Sequence, residues 1–451
     1  MRCIVLNTGT ELLAGDVHDT HLAFIAREIF PLGLRIDERR TVGDGAAIGE
    51  TLKELFPRAE IIFVTGGLGP TSDDITRDVT AELLGLKLEE NTELLSSLKD
   101  RLRVRGIKWV SSVARQAQVP EGAQILPNES GSASGLYLKA NINPNFRTAV
   151  RTRTALRRRT QKQSGASTRR TPEFSSPHIF LLPGPPRELQ PMFREHAMSI
   201  LRSIVKGPPT VERRFYKIAV MGESVIEERI GKQVLAIPGV ELGYCARPGE
   251  VDVRVIGDRR ALDQADKIIR QELGEAIFSA ADETLEQVLV KLLTERKQTL
   301  ATAESCTGGL LADRITNVSG SSKVLLAGYV CYANDAKIDI LGVDPKLIEE
   351  HGAVSEQVAR AMAEGGRMRA RSTYALATTG IAGPDGGSKE KPVGTVYVVL
   401  ADENETKCRK LFFPTDRETF KQLTAQAAFE MLRRALLQGS KSQRSSKSNI
   451  Q

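Results

Sequence analysis

The sequence predicts an α/β fold in which two α/β domains with mainly parallel sheets are joined by a small α+β domain. The chain has 451 residues, more than a single hydrophobic core usually supports. Strand-like apolar runs alternate with helical patterns, and glycine turns separate them, as in parallel sheets that helices cover on both faces. This alternation breaks off near residue 208 and resumes near residue 282. We therefore expect domains at residues 1–207, 208–281 and 282–438, followed by a disordered tail at residues 439–451.

The first domain consists of repeated strand, turn and helix units. Its first strand is RCIVLNTG, and its second is EIIFVTGG, which runs into glycines. Residues 19–32 place apolar side chains at helical spacing, with Asp19 available as a cap. DDITRDVTAELLG predicts another helix, which Gly85 closes. A further strand, IFLL, ends at PGPP, and together these units predict the parallel sheet.

The net charge of +7 comes from two short segments. Residues 139–177 carry ten Lys/Arg and one acid, and residues 439–451 carry three Lys/Arg and no acid, which leaves −5 for the rest of the chain. The first segment is rich in Arg, Ser and Thr and poor in large apolar groups, which predicts a disordered insertion in the first domain. A phosphate-binding arm is the alternative. Because the remainder is acidic, we do not expect a nucleic-acid partner.

The composition also predicts a cytoplasmic protein that does not enter a membrane. The longest uncharged apolar stretch, near residues 324–333, is far shorter than the roughly 20 residues that span a bilayer. The N-terminus lacks the pattern of a signal peptide. The five cysteines are scattered without a CxxC pair, which favours reduced thiols over disulfides or a zinc site. Residues 208–281 carry no recognisable chemistry, so we assign them a spacer or dimerisation role and expect a homo-oligomer, namely a dimer.

The segment TLATAESCTGGLLADRITN is the most informative part of the chain. It predicts a strand that ends at Glu304–Ser305, a Thr-Gly-Gly turn and a helix. Ser305 then lies at the C-terminal end of a strand, where open α/β sheets usually place their sites. Amide groups around Cys306–Gly309 would stabilise an oxyanion or hold a phosphate. Two alternatives stay open, a serine that only caps the helix and a nucleophilic Cys306.

Two more strand ends are predicted to meet at the same place. GYVCYANDAKIDILGV carries Tyr332, Asn334 and Lys337 at a strand–helix junction. A lysine that is partly desolvated beside a hydroxyl can serve as a general base, although a solvated helix face is the alternative for Lys337. YALATTGIAGPDGG is another strand that runs into a glycine-rich loop, with Thr378 and Thr379 at its tip. Hydroxyl, amine and glycines therefore converge on one pocket.

Four ordered motifs, AESCTGG, GYVCYANDAKIDILGV, TTGIAGPDGG and KPVGTVYV, resemble the C-terminal domain of the CinA family, the nicotinamide mononucleotide deamidases. The resemblance implies a metal-free Ser–Lys amidase with Ser305 as nucleophile and Lys337 as base, supported by Tyr332 and Thr379. It also implies that Arg417 meets the substrate phosphate, whereas Lys421 stands where a second arginine is expected. The expected substrate-binding residues are Thr307, Gly308, Gly309, Asn334, Gly380, Gly383 and Arg417.

The first domain carries a second candidate site in TGGLGPTSDDITRD. Its glycines Gly66, Gly67 and Gly69 would let backbone amides approach a phosphate. Asp74 follows in the same segment and Asp44 lies at another strand end, in TVGDG. Carboxylates around a phosphate loop suit a divalent metal such as Mg²⁺. The alternative is that the adjacent acids at the helix start are only caps.

The motifs NTGTELLAGDVHDT, TGGLGPTSDD and LLPGPPREL resemble the N-terminal domain of the same family, which is similar to the molybdopterin-binding fold of molybdenum cofactor biosynthesis. That domain family includes metal-dependent ADP-ribose pyrophosphatases, which implies that Asp44 and Asp74 hold the metal. His21 departs from the family, which typically has asparagine there.

The resemblance implies a hydrolase of pyridine nucleotide salvage that acts on nicotinamide mononucleotide, and it leaves open whether the first domain also cleaves ADP-ribose. The amidase needs no cofactor. Two rival interpretations are a competence or DNA-repair protein that binds nucleic acid through its basic insertion and a nucleotide- or pterin-binding module without activity.

Overall fold

A computed structural model describes residues 1–140, 176–207 and 211–448, with side chains through residue 438. The chain forms two compact units, Met1–Thr210 and Val211–Gln451. The predicted disordered insertion lies, apart from its ends, outside the described residues.

The first unit is built on a six-stranded sheet. The strands are β1 Cys3–Thr8, β2 Ile36–Val42, β3 Ile61–Thr65, β4 Leu88–Glu90, β5 Gln118–Pro120, β6 Gln124–Leu126, β7 Gly135–Lys139 and β8 His178–Leu182. The α-helices are Thr10–Ala14, His21–Ile29, Ala46–Leu55, Thr76–Leu84, Thr92–Val104, Pro186–Met192 and Met198–Ile204. The sheet order is β2-β1-β3-β8-β7-β6, while β4 and β5 form a separate ladder. Strands β2, β1, β3 and β8 run parallel to one another. Strand β7 pairs antiparallel with β8, and β6 pairs antiparallel with β7.

Both faces of this sheet are buried. Along β1, Val5 packs in one apolar cluster with Phe63 and Phe180, whereas Leu6 packs in another with Val64. Alternation of side chains across a strand produces these two layers. The carboxyl ends of the parallel strands meet at one edge, and that edge carries the glycine loops.

The second unit begins with a four-stranded antiparallel sheet in the order β10-β11-β9-β12. Its strands are β9 Glu212–Ala219, β10 Glu241–Arg247, β11 Glu250–Gly257 and β12 Ile277–Ser279, with α-helices Glu223–Ile226, Lys232–Leu235 and Arg259–Leu273. Antiparallel strands with helices on one face make the α+β arrangement that the sequence predicts.

The rest of the second unit is a five-stranded sheet in the order β14-β13-β15-β16-β17. The strands are β13 Leu300–Glu304, β14 Leu325–Val330, β15 Tyr374–Gly380, β16 Thr395–Ala401 and β17 Thr406–Phe412. The helices are Leu285–Glu295, Leu310–Thr316, Asn334–Leu341, Pro345–His351, Glu356–Ala370 and Arg417–Ser448. One apolar cluster covers each face of the sheet.

The predicted α/β class is confirmed, and two details differ. β16 and β17 run antiparallel, because only a short turn joins them and parallel neighbours need a long crossover. The final helix continues to Ser448, whereas a disordered tail was expected from residue 439. Once packed turns have nucleated a helix, each further residue adds a hydrogen bond, so the polar end extends it. Among the described residues, no helix has the length and apolar character needed to cross a membrane.

Candidate active site

Ser305 follows directly after the central strand β13. Its backbone N–H donates to the carbonyl of Thr378 over 2.9 Å, and the N–H of Cys331 donates to the carbonyl of Glu304 over 2.8 Å. These bonds tie the ends of β13, β14 and β15 together. The serine is buried, with 9% of its surface exposed. The strand ends that the sequence predicts to converge therefore meet at Ser305.

A tight turn carries the chain from Ser305 into the helix Leu310–Thr316. Gly308 donates its N–H to the carbonyl of Ser305 over 3.1 Å. Gly308 and Gly309 have φ angles of 62° and 94°, which other residues rarely adopt, so this turn requires both glycines. Within the described part of the chain, the amides of Cys306, Thr307 and Gly309 donate to no other residue, and that of Cys306 lies near its own sulfur. They are free to donate to an anion that forms beside Ser305.

Lys337 lies in the helix Asn334–Leu341, which follows β14, and only 1% of its surface is exposed. Its Nζ donates to the backbone carbonyls of Tyr332, over 2.8 Å, and Ala333, over 3.4 Å. Burial lowers the pKa of the Lys337 amine, because desolvation penalises its charged form. The thiols of Cys331 and Cys306 act on this pKa in the opposite direction, which places the amine near both. The solvated-face alternative for Lys337 is therefore wrong, and burial favours the neutral form of the amine that a base requires.

Cys306 does not suit the role of nucleophile. Burial raises the pKa of its thiol to about 12, so the thiol stays protonated at neutral pH. Only the thiolate is strongly nucleophilic. This observation favours Ser305 over the alternative that the sequence leaves open.

Tyr332 and Arg417 form a bridge at the surface of the site. The Tyr332 side chain is exposed, and its hydroxyl accepts from Nη2 of Arg417 over 2.8 Å. Nη1 of Arg417 donates to the carbonyl of Gly383 over 2.9 Å. Arg417 therefore joins the glycine-rich loop to the segment before Lys337. Asn334 lies exposed at the start of the neighbouring helix.

The hydroxyl of Thr379 does not join the site residues described above. Its hydroxyl donates to the carbonyl of Ala353 over 2.9 Å. Because side chains alternate across a strand, the adjacent Thr378 faces the turn instead, and its Oγ1 lies 2.7 Å from Oγ1 of Thr307. At Gly380 a Cβ would come within 2.8 Å of the Thr395 carbonyl, so this glycine allows close pairing of β15 and β16.

Lys421 approaches the turn from the final helix. Its Nζ lies 3.7 Å from the point that a Cβ on Gly308 would occupy. The amine is therefore a cation next to the amides of the turn, at the position where the resemblance leads us to expect an arginine. A lysine binds an anion as a point charge, whereas an arginine binds it in bidentate fashion.

A buried carboxylate that the sequence did not single out lies beneath the turn. Glu304 is 0% exposed and accepts hydrogen bonds from both Thr302 and Thr307. The sequence signal for Glu304 was an acid at the end of an otherwise apolar strand. Such an acid is buried with the strand, and a buried charge requires hydrogen-bond donors nearby.

The first unit places its predicted residues at the carboxyl edge of its sheet. Asp44 accepts from the N–H and hydroxyl of Thr10, both over 3.0 Å. Asp74 accepts from the N–H of Thr71 over 3.0 Å and lies against Gly69. The two carboxylates belong to different turns. Among the residues that the structure describes, no three His, Cys, Asp or Glu side chains gather into a preformed metal site.

The phosphate loop of the first unit is tightly packed. A Cβ on Gly66 would lie 2.6 Å from the carbonyl of Thr8, and one on Gly67 would lie 2.1 Å from Oγ1 of Thr76, so neither position accepts a side chain. His21 is 8% exposed, and burial lowers the pKa of its imidazole. At neutral pH His21 is therefore uncharged, like the asparagine that the family typically has there.

Comparison with known proteins identifies two domains in this chain. Residues 282–436 match the model of the CinA C-terminal domain, and residues 4–203 match that of a probable molybdopterin binding domain. A CinA-like protein from Akkermansia muciniphila is 38% identical over 95% of this chain and 96% of its own length. A putative competence-damage inducible protein from Caldicellulosiruptor bescii is 35% identical over 96% of this chain and 98% of its own.

A solved structure of a competence/damage inducible protein from Agrobacterium tumefaciens is 42% identical over 34% of this chain and 93% of its own length, with a TM-score of 0.33. The full-length relatives match both domains in one chain. The chain belongs to the CinA family.

Proposed function

We propose that the C-terminal domain hydrolyses the carboxamide of nicotinamide mononucleotide to nicotinate mononucleotide and ammonia, with Ser305 as nucleophile and Lys337 as base. The observation that carries this proposal is a buried lysine with a lowered pKa that interacts with Cys306, the residue after the strand-end Ser305, together with turn amides that donate to no other residue. Base, nucleophile and oxyanion donors are the three parts that acyl transfer needs.

In the first half of the reaction, Oγ of Ser305 attacks the carboxamide carbon and its proton passes to the neutral amine of Lys337. The carbonyl oxygen becomes an oxyanion, and the amides of Cys306 and Thr307 donate to it. The bond from carbon to nitrogen then breaks. Lys337 returns its proton to the departing nitrogen, which leaves as ammonia, and an ester on Ser305 remains.

In the second half, water attacks the ester carbon while Lys337 takes a proton from that water. The bond to Oγ of Ser305 breaks, and Lys337 returns the proton to the serine. The net change adds one water and releases a carboxylate and ammonia. Each half of the reaction needs Lys337 to be neutral when it begins, and burial of the amine favours that form.

The direct test is to incubate the purified full-length chain with nicotinamide mononucleotide and to measure both products. We expect ammonia and nicotinate mononucleotide in equal amounts, and much less ammonia from free nicotinamide, which lacks the phosphate. Binding without release of ammonia would contradict the proposal and support a nucleotide-binding module.

Lys421 supplies a cation for the substrate phosphate together with Arg417, whose guanidinium has N–H donors beyond the two bonded to Tyr332 and Gly383. Replacing Lys421 with alanine should raise KM for nicotinamide mononucleotide by roughly ten- to a hundredfold, as expected for loss of a charged hydrogen bond, and leave kcat within about threefold.

The control for Lys421 is Lys291→Ala, which removes an exposed helix lysine of the same domain. Steady-state kinetics should show no change in KM for this variant. Equal effects of the two substitutions, or a loss confined to kcat in Lys421→Ala, would assign the phosphate to another group.

We propose as a second activity that the first domain cleaves the pyrophosphate of ADP-ribose with a divalent metal. The observation that favours it is the glycine loop at the sheet edge, with Asp44 and Asp74 in adjoining turns. Mg²⁺ commonly binds through one or two carboxylates together with substrate phosphates, so two separate acids suit it without a preformed cage. When bound, such a metal neutralises phosphate charge and activates water.

EDTA should separate the two activities. We expect it to stop release of AMP from ADP-ribose and to leave release of ammonia from nicotinamide mononucleotide unchanged, since only the first reaction uses carboxylates on phosphate. Excess Mg²⁺ should restore the first activity, except in an Asp74→Asn variant. ADP-ribose cleavage that persists in EDTA, or equal loss of both activities, would contradict this assignment.

A further inference from the structure

Glu304 is a buried carboxylate with a donor group on every side. It ends the central strand β13 and is 0% exposed. Oε1 accepts from the hydroxyl of Thr302 over 3.2 Å and from the N–H of Ala312 over 2.9 Å. Oε2 accepts from the hydroxyl of Thr307 over 2.8 Å and from the N–H of Leu311 over 3.0 Å. Four donors offset the cost of removing this charge from water.

These bonds connect the two ends of the turn that contains Ser305. The turn begins directly after Glu304, and the helix Leu310–Thr316 begins where it ends. The residue at the helix N-cap is Gly309, which has no side chain to accept from the first amides. Glu304 accepts from two of them instead. The amides of Leu311 and Ala312 are therefore unavailable to a substrate, and those of Cys306, Thr307 and Gly309 remain.

Thr307 links this carboxylate to the catalytic geometry. Its hydroxyl is shared between Glu304 and Thr378, so the side chain is held from two directions. Rotation about the backbone of Thr307 would turn its N–H, which is one of the turn amides that donate to no other residue. A helix cap alone would not need this bond, because the bonds to Leu311 and Ala312 already satisfy the helix end.

We propose that Glu304 is a positioning residue for the hydrolysis, which holds the turn so that the amides of Cys306 and Thr307 stay directed at the oxyanion next to Ser305. This inference rests on the proposed amidase function. It assigns a role to a side chain that touches neither the substrate nor the reacting atoms.

Two threonines on the same carboxylate allow a matched comparison. Thr307→Val removes the donor inside the turn, whereas Thr302→Val removes the donor within the strand. Both substitutions delete one buried hydroxyl and keep the volume, but Thr307→Val also removes the bond to Thr378, so its unfolding midpoint should decrease more. Thr307→Val should lower kcat about tenfold or more with little change in KM, while Thr302→Val should stay within about twofold of the wild type.

Glu304→Gln gives the stronger perturbation. The glutamine amide cannot accept at its nitrogen, so at least one helix N–H loses its partner and the turn shifts. We expect kcat for nicotinamide mononucleotide to fall by about a hundredfold or more, similar to loss of an oxyanion donor, with KM within a few-fold. Amide hydrogen exchange of the full-length variant should be faster between residues 305 and 312 and unchanged in the first unit.

The outcomes separate this inference from the proposed function. Wild-type protein that releases no ammonia would refute the amidase and, with it, a catalytic role for Glu304. Active wild type combined with a Glu304→Gln variant of normal kcat would overturn the positioning role alone. Equal losses of kcat in Thr307→Val and Thr302→Val would likewise overturn it, because only general destabilisation would remain as the cause.

Discussion

Replacing Ser305 with alanine is expected to lower kcat for nicotinamide mononucleotide by about three orders of magnitude or more. The substitution removes the oxygen that forms the ester and leaves the turn and its amides in place. The residual rate should be that of direct attack by water beside the free amides of Cys306 and Thr307. Release of ammonia at saturating substrate measures this loss.

The control for Ser305 is Ser321→Ala, a serine of the same domain that is equally buried. This variant should retain kcat near that of the wild type. Near-normal turnover in Ser305→Ala would contradict the serine mechanism. If the residual activity were then lost on alkylation of thiols, Cys306 would replace Ser305 as nucleophile, against the raised pKa of its thiol.

Lys337→Arg is expected to lower kcat nearly as far as Lys337→Met, by about two orders of magnitude or more. Arginine keeps the positive charge, but its guanidinium has a pKa above about 12 and does not accept a proton from Ser305. The exposed Lys346 provides the control, because Lys346→Arg makes the same chemical change outside the site. Recovery of most activity in Lys337→Arg would show that the lysine contributes only a positive charge.

The pH dependence follows from the same amine. The base acts in its neutral form, so kcat/KM should rise with pH through the pKa of Lys337 and then level off. Burial lowers this pKa, so the rise should be centred below the pH at which an ordinary lysine loses its proton. A rate that decreases with pH over this range would show that the charged amine is the active form.

The sequence predicted the fold well where the signals were local. Apolar runs that end in glycines identified β1, β3 and β13, because a buried parallel strand and its turn are both visible over fewer than ten residues. The antiparallel pairing of β16 with β15 and β17 depends on how the chain returns to the sheet, and no local sequence pattern shows that direction. The composition of the polar segment also does not show that the last helix extends cooperatively into it.

The site was predicted in part for a similar reason. Ser305 and Lys337 lie at strand–helix junctions that the pattern locates, and the structure buries both side chains. Thr378 and Thr379 are adjacent in the sequence, and only the strand's register decides which hydroxyl faces the turn. The role of Glu304 depends on donors that lie up to eight residues further along the chain, so it appears only once the turn is folded.

Trapping of the covalent intermediate tests the central claim most directly. Wild-type protein that turns over nicotinamide mononucleotide is quenched in acid, digested and examined by mass spectrometry for an ester of the nicotinate mononucleotide acyl group. We predict this ester on the peptide that contains Ser305, formed in Lys421→Ala at saturating substrate and absent from Ser305→Ala. An acyl group on Cys306, or steady release of ammonia with no acyl group on the Ser305 peptide, would contradict the account.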